Sequence, residues 1–178
     1  MLPCHINAFL IQPGRVLGRK LRPLTLEHYW ILEAVDSPYV WGQTPRYSDL
    51  AFAVFTLSVP AWFSRWLLMR PALSRRVFKA WGRLYKRAGI KDDLEAFKAY
   101  WQAYTDMPSK WTKEGQKSAG SCLPASINIV WAIMGKVGER RAWSMPMPLA
   151  LSYLVAESES NGGEYKSERD AAMTNKEG

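Results

Sequence analysis

Between Asp49 and Arg65 the chain carries no charge. This uncharged run, Leu50 to Ser64, spans 15 residues, and the apolar segment around it reaches Met69. A bilayer span needs about 20 consecutive apolar residues. Pro60 interrupts the run, removing an amide donor and clashing with the preceding turn. The segment therefore reads as a buried helix, kinked or split at Pro60. Ser48 is placed to cap it, and Asp49 suits the positive end of its dipole. The β-propensity of Ala51 to Leu57 also allows a strand, but the helical context makes that the lesser reading.

The rest of the chain repeats the helical signal. Residues 1–23 read as an extended, irregular segment punctuated by Pro13-Gly14, Gly18 and Pro23. A helix follows over about Leu24 to Val35, with Thr25 as N-cap. It is apolar nearly all round apart from Glu27, His28 and Glu33, which predicts burial. Ser37-Pro38 ends it, and residues 40–47 read as a loop. Leu73 to Ala88 is sharply two-sided: Leu73, Val77, Ala80, Trp81, Leu84 and Ala88 on one stripe, cations on another. Asp92 and Glu95 have capping-box spacing, and Leu94, Phe97, Tyr100, Trp101 and Tyr104 follow as an aromatic stripe.

Residues 105–123 form the longest polar connection, an expected exposed loop. Ile127 to Val137 is helical, with Gly138 as its stop. Glu139 to Trp143 reads as a helical turn, and Leu149 to Ser158 as the last helix. No βαβ alternation, internal repeat or hairpin series is present. The expectation is an all-α fold: one irregular bundle of about six helices over residues 1–163. A polar tail, 164–178, is expected to be mobile.

The 178 residues suit one domain with a core of its own. Met1 to Gln12 is not a secretory signal, because its cations follow the apolar stretch rather than precede it. Cys4 and Cys122 are too few for a disulfide framework and read as reduced thiols of a cytosolic protein. His5 and His28 have no ligand spacing around them, so neither a metal nor a cofactor is expected. The chain has no phosphate loop, no Gly-x-Gly-x-x-Gly and no nucleophile elbow. His28 reads as a structural histidine and Asp92-Asp93 as helix-start residues. The chemistry argues against an enzyme.

The formal net charge is +8, and it is concentrated. Arg65 to Lys91 holds nine cations and no acid. Cations at i, i+4 repel one another, and here no carboxylate offsets them. Arg75, Arg76, Lys79, Arg83, Lys86 and Arg87 form a candidate partner-binding face. It could serve phosphate, anionic lipid or acidic protein, or be a solvated helix surface. Trp62, Trp66, Met69 and Trp81 are candidates for an apolar binding groove, with core packing as the default for such spacing.

Two stretches carry a resemblance. One runs from Gly18-Arg19-Lys20-Leu21-Arg22-Pro23-Leu24-Thr25-Leu26-Glu27-His28 to Leu32-Glu33-Ala34 and Ser37-Pro38. The other is Ala142-Trp143-Ser144-Met145-Pro146, leading into Leu149-Ala150 and the acidic Glu157 to Gly163. Together they cover about a quarter of the chain. They resemble the tail-assembly chaperones of tailed bacteriophages and proteins encoded beside them. The resemblance implies a mostly helical, non-enzymatic protein that binds tape-measure or other virion proteins. It would act in the host cytoplasm or stay in the virion, with an oligomer left open. The alternatives are a nucleic-acid-associated protein using the basic helix, or a membrane-associated one using 50–69.

Overall fold

A computed structural model of the chain describes residues 14–85, 90–105 and 123–160. Among them the structure is all-α apart from one minimal hairpin, β1 (Arg15–Val16) and β2 (Arg19–Lys20). The helices are α1 (Leu26–Ala34), α2 (Pro38–Trp41), α3 (Tyr47–Ser58), α4 (Ala61–Leu68) and α5 (Pro71–Tyr85). They continue as α6 (Ile90–Thr105), α7 (Ala125–Val137), α8 (Glu139–Ser144) and α9 (Met147–Ser160). The expected tail at 164–178, the polar connection from Asp106 to Cys122, and Cys4 and His5 lie outside the described residues.

Short α1 is the hub. It touches α2, α3, α4, α7, α8 and α9. Leu26, Ile31 and Leu32 have no exposed surface, and His28 and Glu33 are also buried. Thr25 caps it as expected: its Oγ1 accepts from the His28 amide at 3.3 Å. Its first turn is tied to the start of α9, because the Leu26 amide donates to Met145 and the Met147 amide to Leu24.

Around this hub, α3 buries Leu50, Ala53, Val54 and Leu57, and α6 buries Phe97, Tyr100 and Tyr104. The aromatic stripe of α6 thus meets the core. Phe97 lies against Tyr39 with ring centroids 4.5 Å apart, and Trp101 stacks on Tyr29 at 5.8 Å. Burying side chains of this size contributes roughly 1.5–3 kcal/mol each.

Several local expectations are corrected. Within 1–23, residues 15–20 are not irregular. Leu17 and Gly18 both have positive φ, 50° and 70°, the turn that suits a two-residue hairpin. Residues 40–47 are not all loop: α2 adds a helical turn that Gly42 closes at φ 65°. The N-cap of α3 is Arg46 rather than Ser48, and the Asp49 carboxylate accepts from the Arg46 amide at 2.7 Å. Asp92 and Asp93 lie in the first turn of α6, as expected, but the helix begins at Ile90, so neither is its N-cap. The Asp93 carboxylate instead accepts from the Leu17 amide at 2.7 Å. Ala51 to Leu57 is helical, not a strand. Pro60 divides the apolar run into α3 and α4, and no described helix is long and apolar enough to cross a membrane.

Candidate functional surface

The break at Pro60 frees carbonyl groups at the end of α3, which an intact helix would have bonded. Those of Phe55, Thr56 and Leu57, and that of the C-cap residue Val59, find other partners. Ser58 Oγ donates to Phe55 at 3.0 Å, and Ser64 Oγ donates to Thr56 at 3.3 Å. The Arg22 amide donates to Leu57 at 2.8 Å, and His28 Nε2 lies 3.1 Å from the Val59 oxygen. His28 Nδ1 sits 2.9 Å from Thr25 Oγ1. The neutral imidazole fits both contacts, with Nε2 donating and Nδ1 accepting. Burial lowers its pKa from 6.5 to about 4. This is the structural histidine expected from the sequence.

The corner fixes the direction of α4. Its inner row is Ala61, Ser64 and Leu67, all buried. The Arg65 guanidinium ties it to α1 through Glu27 at 3.3 Å. The outer row therefore faces water. Trp62 is 62% exposed, Trp66 38% and Met69 74%. Core packing, the default for these three residues, is overturned. Their spacing is helical, but the stripe that meets the core is the one beside it. The outer side chains are ordered by one another. Trp62 meets Phe63 edge-on at 5.8 Å, Phe63 stacks on Trp66 at 5.7 Å, and the Arg70 guanidinium lies 4.3 Å over the Trp66 ring.

Helix α5 continues this surface and lies against α3 and α4. Pro71 occupies its first position, where a missing amide donor costs nothing. Leu73 is 38% exposed, and Arg75, Arg76, Lys79 and Ala80 are exposed. No side chain described on α5 is fully buried. Among the described residues, Arg75, Arg76 and Lys79 form no ion pair. Trp81 and Arg83 lie on the last turns of α5, where only the backbone is described; Lys86 and Arg87 fall outside the described residues. Six of the ten candidate residues, Trp62, Trp66, Met69, Arg75, Arg76 and Lys79, are thus exposed along α4 and the first half of α5.

A second carboxylate site escaped the sequence reading. Glu33, buried on α1, accepts hydrogen bonds from the Ala125 amide at 2.8 Å, the Ser126 amide at 3.3 Å and Ser126 Oγ. It thereby caps α7, whose own N-cap, Pro124, offers no side-chain acceptor. A carboxylate on an otherwise apolar helix was the available signal; its partner lies 92 residues away.

The concavities are modest. One of about 450 Å³ is lined by Val137 to Arg141 and Ser144, and one of about 250 Å³ by Val35 to Pro38, Asp49 and Phe52. Among the described residues no group of three or more His, Cys, Asp or Glu side chains could hold a metal ion. Compared with known proteins, the chain matches no family model, no curated protein and no solved structure.

Proposed function

We propose that the protein is a non-enzymatic assembly protein of the phage tail or virion type, working by protein–protein contacts through the surface of α4 and α5. The observation that carries this reading is the outer row Trp62, Trp66 and Met69 beside the unpaired cations of α5. A contiguous apolar patch rimmed by charge is a common mark of an interaction surface. The likeness of two short stretches to tail-assembly chaperones supports the choice of setting, with a tape-measure or other virion protein as partner. The place of action is then the host cytoplasm during assembly, or the virion.

The test is co-expression with the products of the neighbouring genes, above all any very long helical one. A soluble complex that survives size-exclusion chromatography is the expected result. Failure to bind every neighbouring product overturns the reading. A nucleic-acid partner is the second reading, favoured by the unpaired Arg75, Arg76 and Lys79. Its binding to DNA or RNA would fall steeply with salt and further with Arg83→Glu. A flat salt response rejects it.

A further inference from the structure

We infer that the surface of α4 and α5 receives an acidic amphipathic helix of the partner protein. This rests on the protein-binding reading above and specifies the chemistry of what binds.

The apolar half of the argument is geometric. Trp62, Trp66 and Met69 follow at spacings of four and three, so they share one face of α4. Met69 keeps the register, since its amide still bonds to Arg65. The row is about 10 Å long, or two turns of helix. It stands out from the body as a ridge, with Met69 the most exposed of the large apolar side chains. A ridge of this spacing fits the groove between residue rows on a second helix. The ring contacts among Trp62, Phe63, Trp66 and Arg70 hold the relief in one shape. A fixed relief suits a partner with its own fixed relief better than a fluid lipid surface.

The polar half is electrostatic. From Leu50 to Lys91 the chain carries nine cations and no acid. Arg70, in the junction between α4 and α5, and Arg75, Arg76 and Lys79, on α5, are exposed. A guanidinium presents a planar fork of donors that matches a carboxylate. Arg70, stacked on Trp66, has its plane already set. Glu27 is the acid that meets α4, and it is occupied by Arg65. The partner helix therefore has an apolar row for the ridge and carboxylates along its flank.

The test uses the full chain and three synthetic peptides of about 18 residues, five helical turns. The first two share one apolar row at i, i+4, i+7. The first carries Glu and Asp on its flank, the second Lys, and the third has the acids with the row scrambled. Anisotropy of the labelled peptides is the readout. The acidic amphipathic peptide is expected to bind at least about tenfold more tightly than either control, with affinity falling as salt rises. Trp62→Ser with Met69→Ser should weaken it by about tenfold or more. Arg75→Glu with Arg76→Glu should reverse the preference toward the Lys peptide, an outcome that general loss of fold cannot produce.

Equal binding of acidic and basic peptides overturns the inference, and so does binding unchanged by both double variants. Tighter capture by vesicles of phosphatidylglycerol and phosphatidylcholine, or by duplex DNA, than by the acidic peptide also overturns it. The two proposals separate cleanly. If the acidic peptide binds but no neighbouring gene product does, the assembly reading falls and the inference stands. If a neighbour co-purifies equally with both double variants, the inference falls together with the assignment of the contacts to α4 and α5, and the assembly role alone stands.

Discussion

Helices α1 and α5 solve opposite problems. Helix α1 has nine residues, five of them buried, and shows little two-sidedness because protein surrounds it. Its two acids and its histidine are each matched: Glu27 by Arg65, His28 by Thr25 and Val59, Glu33 by the start of α7. Helix α5 has fifteen residues in a strongly two-sided pattern, yet none of its described side chains is fully buried. Its described cations, Arg75, Arg76 and Lys79, are exposed. Amphipathic pattern marks where a helix meets the boundary of the protein, and the hub is the helix without such a pattern. In α1 polar groups hold the fold together; in α5 they are available to something else.

The contrast breaks most sharply at Glu33. Glu33→Ala leaves the Ala125 and Ser126 amides and the Ser126 hydroxyl without their acceptor; Ala125 is exposed and can turn to water, but the buried Ser126 donors cost about 1–3 kcal/mol each. A loss of roughly 3 kcal/mol is expected in urea unfolding. A loss under about 1 kcal/mol would mean that α7 does not depend on α1 for its cap.

His28 tests the same helix by acid. Its folded pKa, about 4, lies below the unfolded value of 6.5. The unfolded chain therefore binds the proton more readily between these values. Stability from this group is complete above pH 6.5 and declines as the pH falls toward 4, by on the order of 3 kcal/mol. Unfolding curves of the protein and of His28→Gln should converge in shape above pH 6.5 and part below it. Identical pH profiles would show that the imidazole is not held neutral.

The smallest effect belongs to α4 and α5. Trp62→Ser and Arg76→Glu should each change stability by no more than about 0.5 kcal/mol, as exposed positions do. A thermal melt suffices to check this. A loss above about 1.5 kcal/mol in either would place the surface with the core and remove the contrast.

Much of this was legible in the sequence, for local reasons. Thr25 as a cap, Pro60 as a break, Gly138 as a stop and the buried stripe of α6 all depend on neighbours within a turn or two. The cation-rich surface was legible too, because charge is additive along a helix. The outward direction of Trp62, Trp66 and Met69 was not. Helical spacing groups them on one face, but which face meets the body is decided by the Pro60 corner and by Glu27 and His28 on another helix. Glu33 was hidden for the same reason: it read as one more member of an apolar face. The hairpin at Arg15 to Lys20 is too short for an alternating pattern to register. Asp93 read as a helix-start residue when its acceptor role is tertiary.

Three hydrogen bonds span long stretches of chain: the Leu17 amide to Asp93, the Tyr100 hydroxyl to the Arg22 carbonyl, and the Ala125 amide to Glu33, separations of 76, 78 and 92 residues. On a ribosome adding about 5–20 residues per second, Glu33 waits roughly 5–20 s for the helix it caps. Throughout that interval the apolar sides of α1 have no complete enclosure. The order of synthesis makes the hub the first of the described helices to be translated and among the last of them to be finished, so the nascent chain passes through a stage in which its future centre is open to whatever protein is nearby.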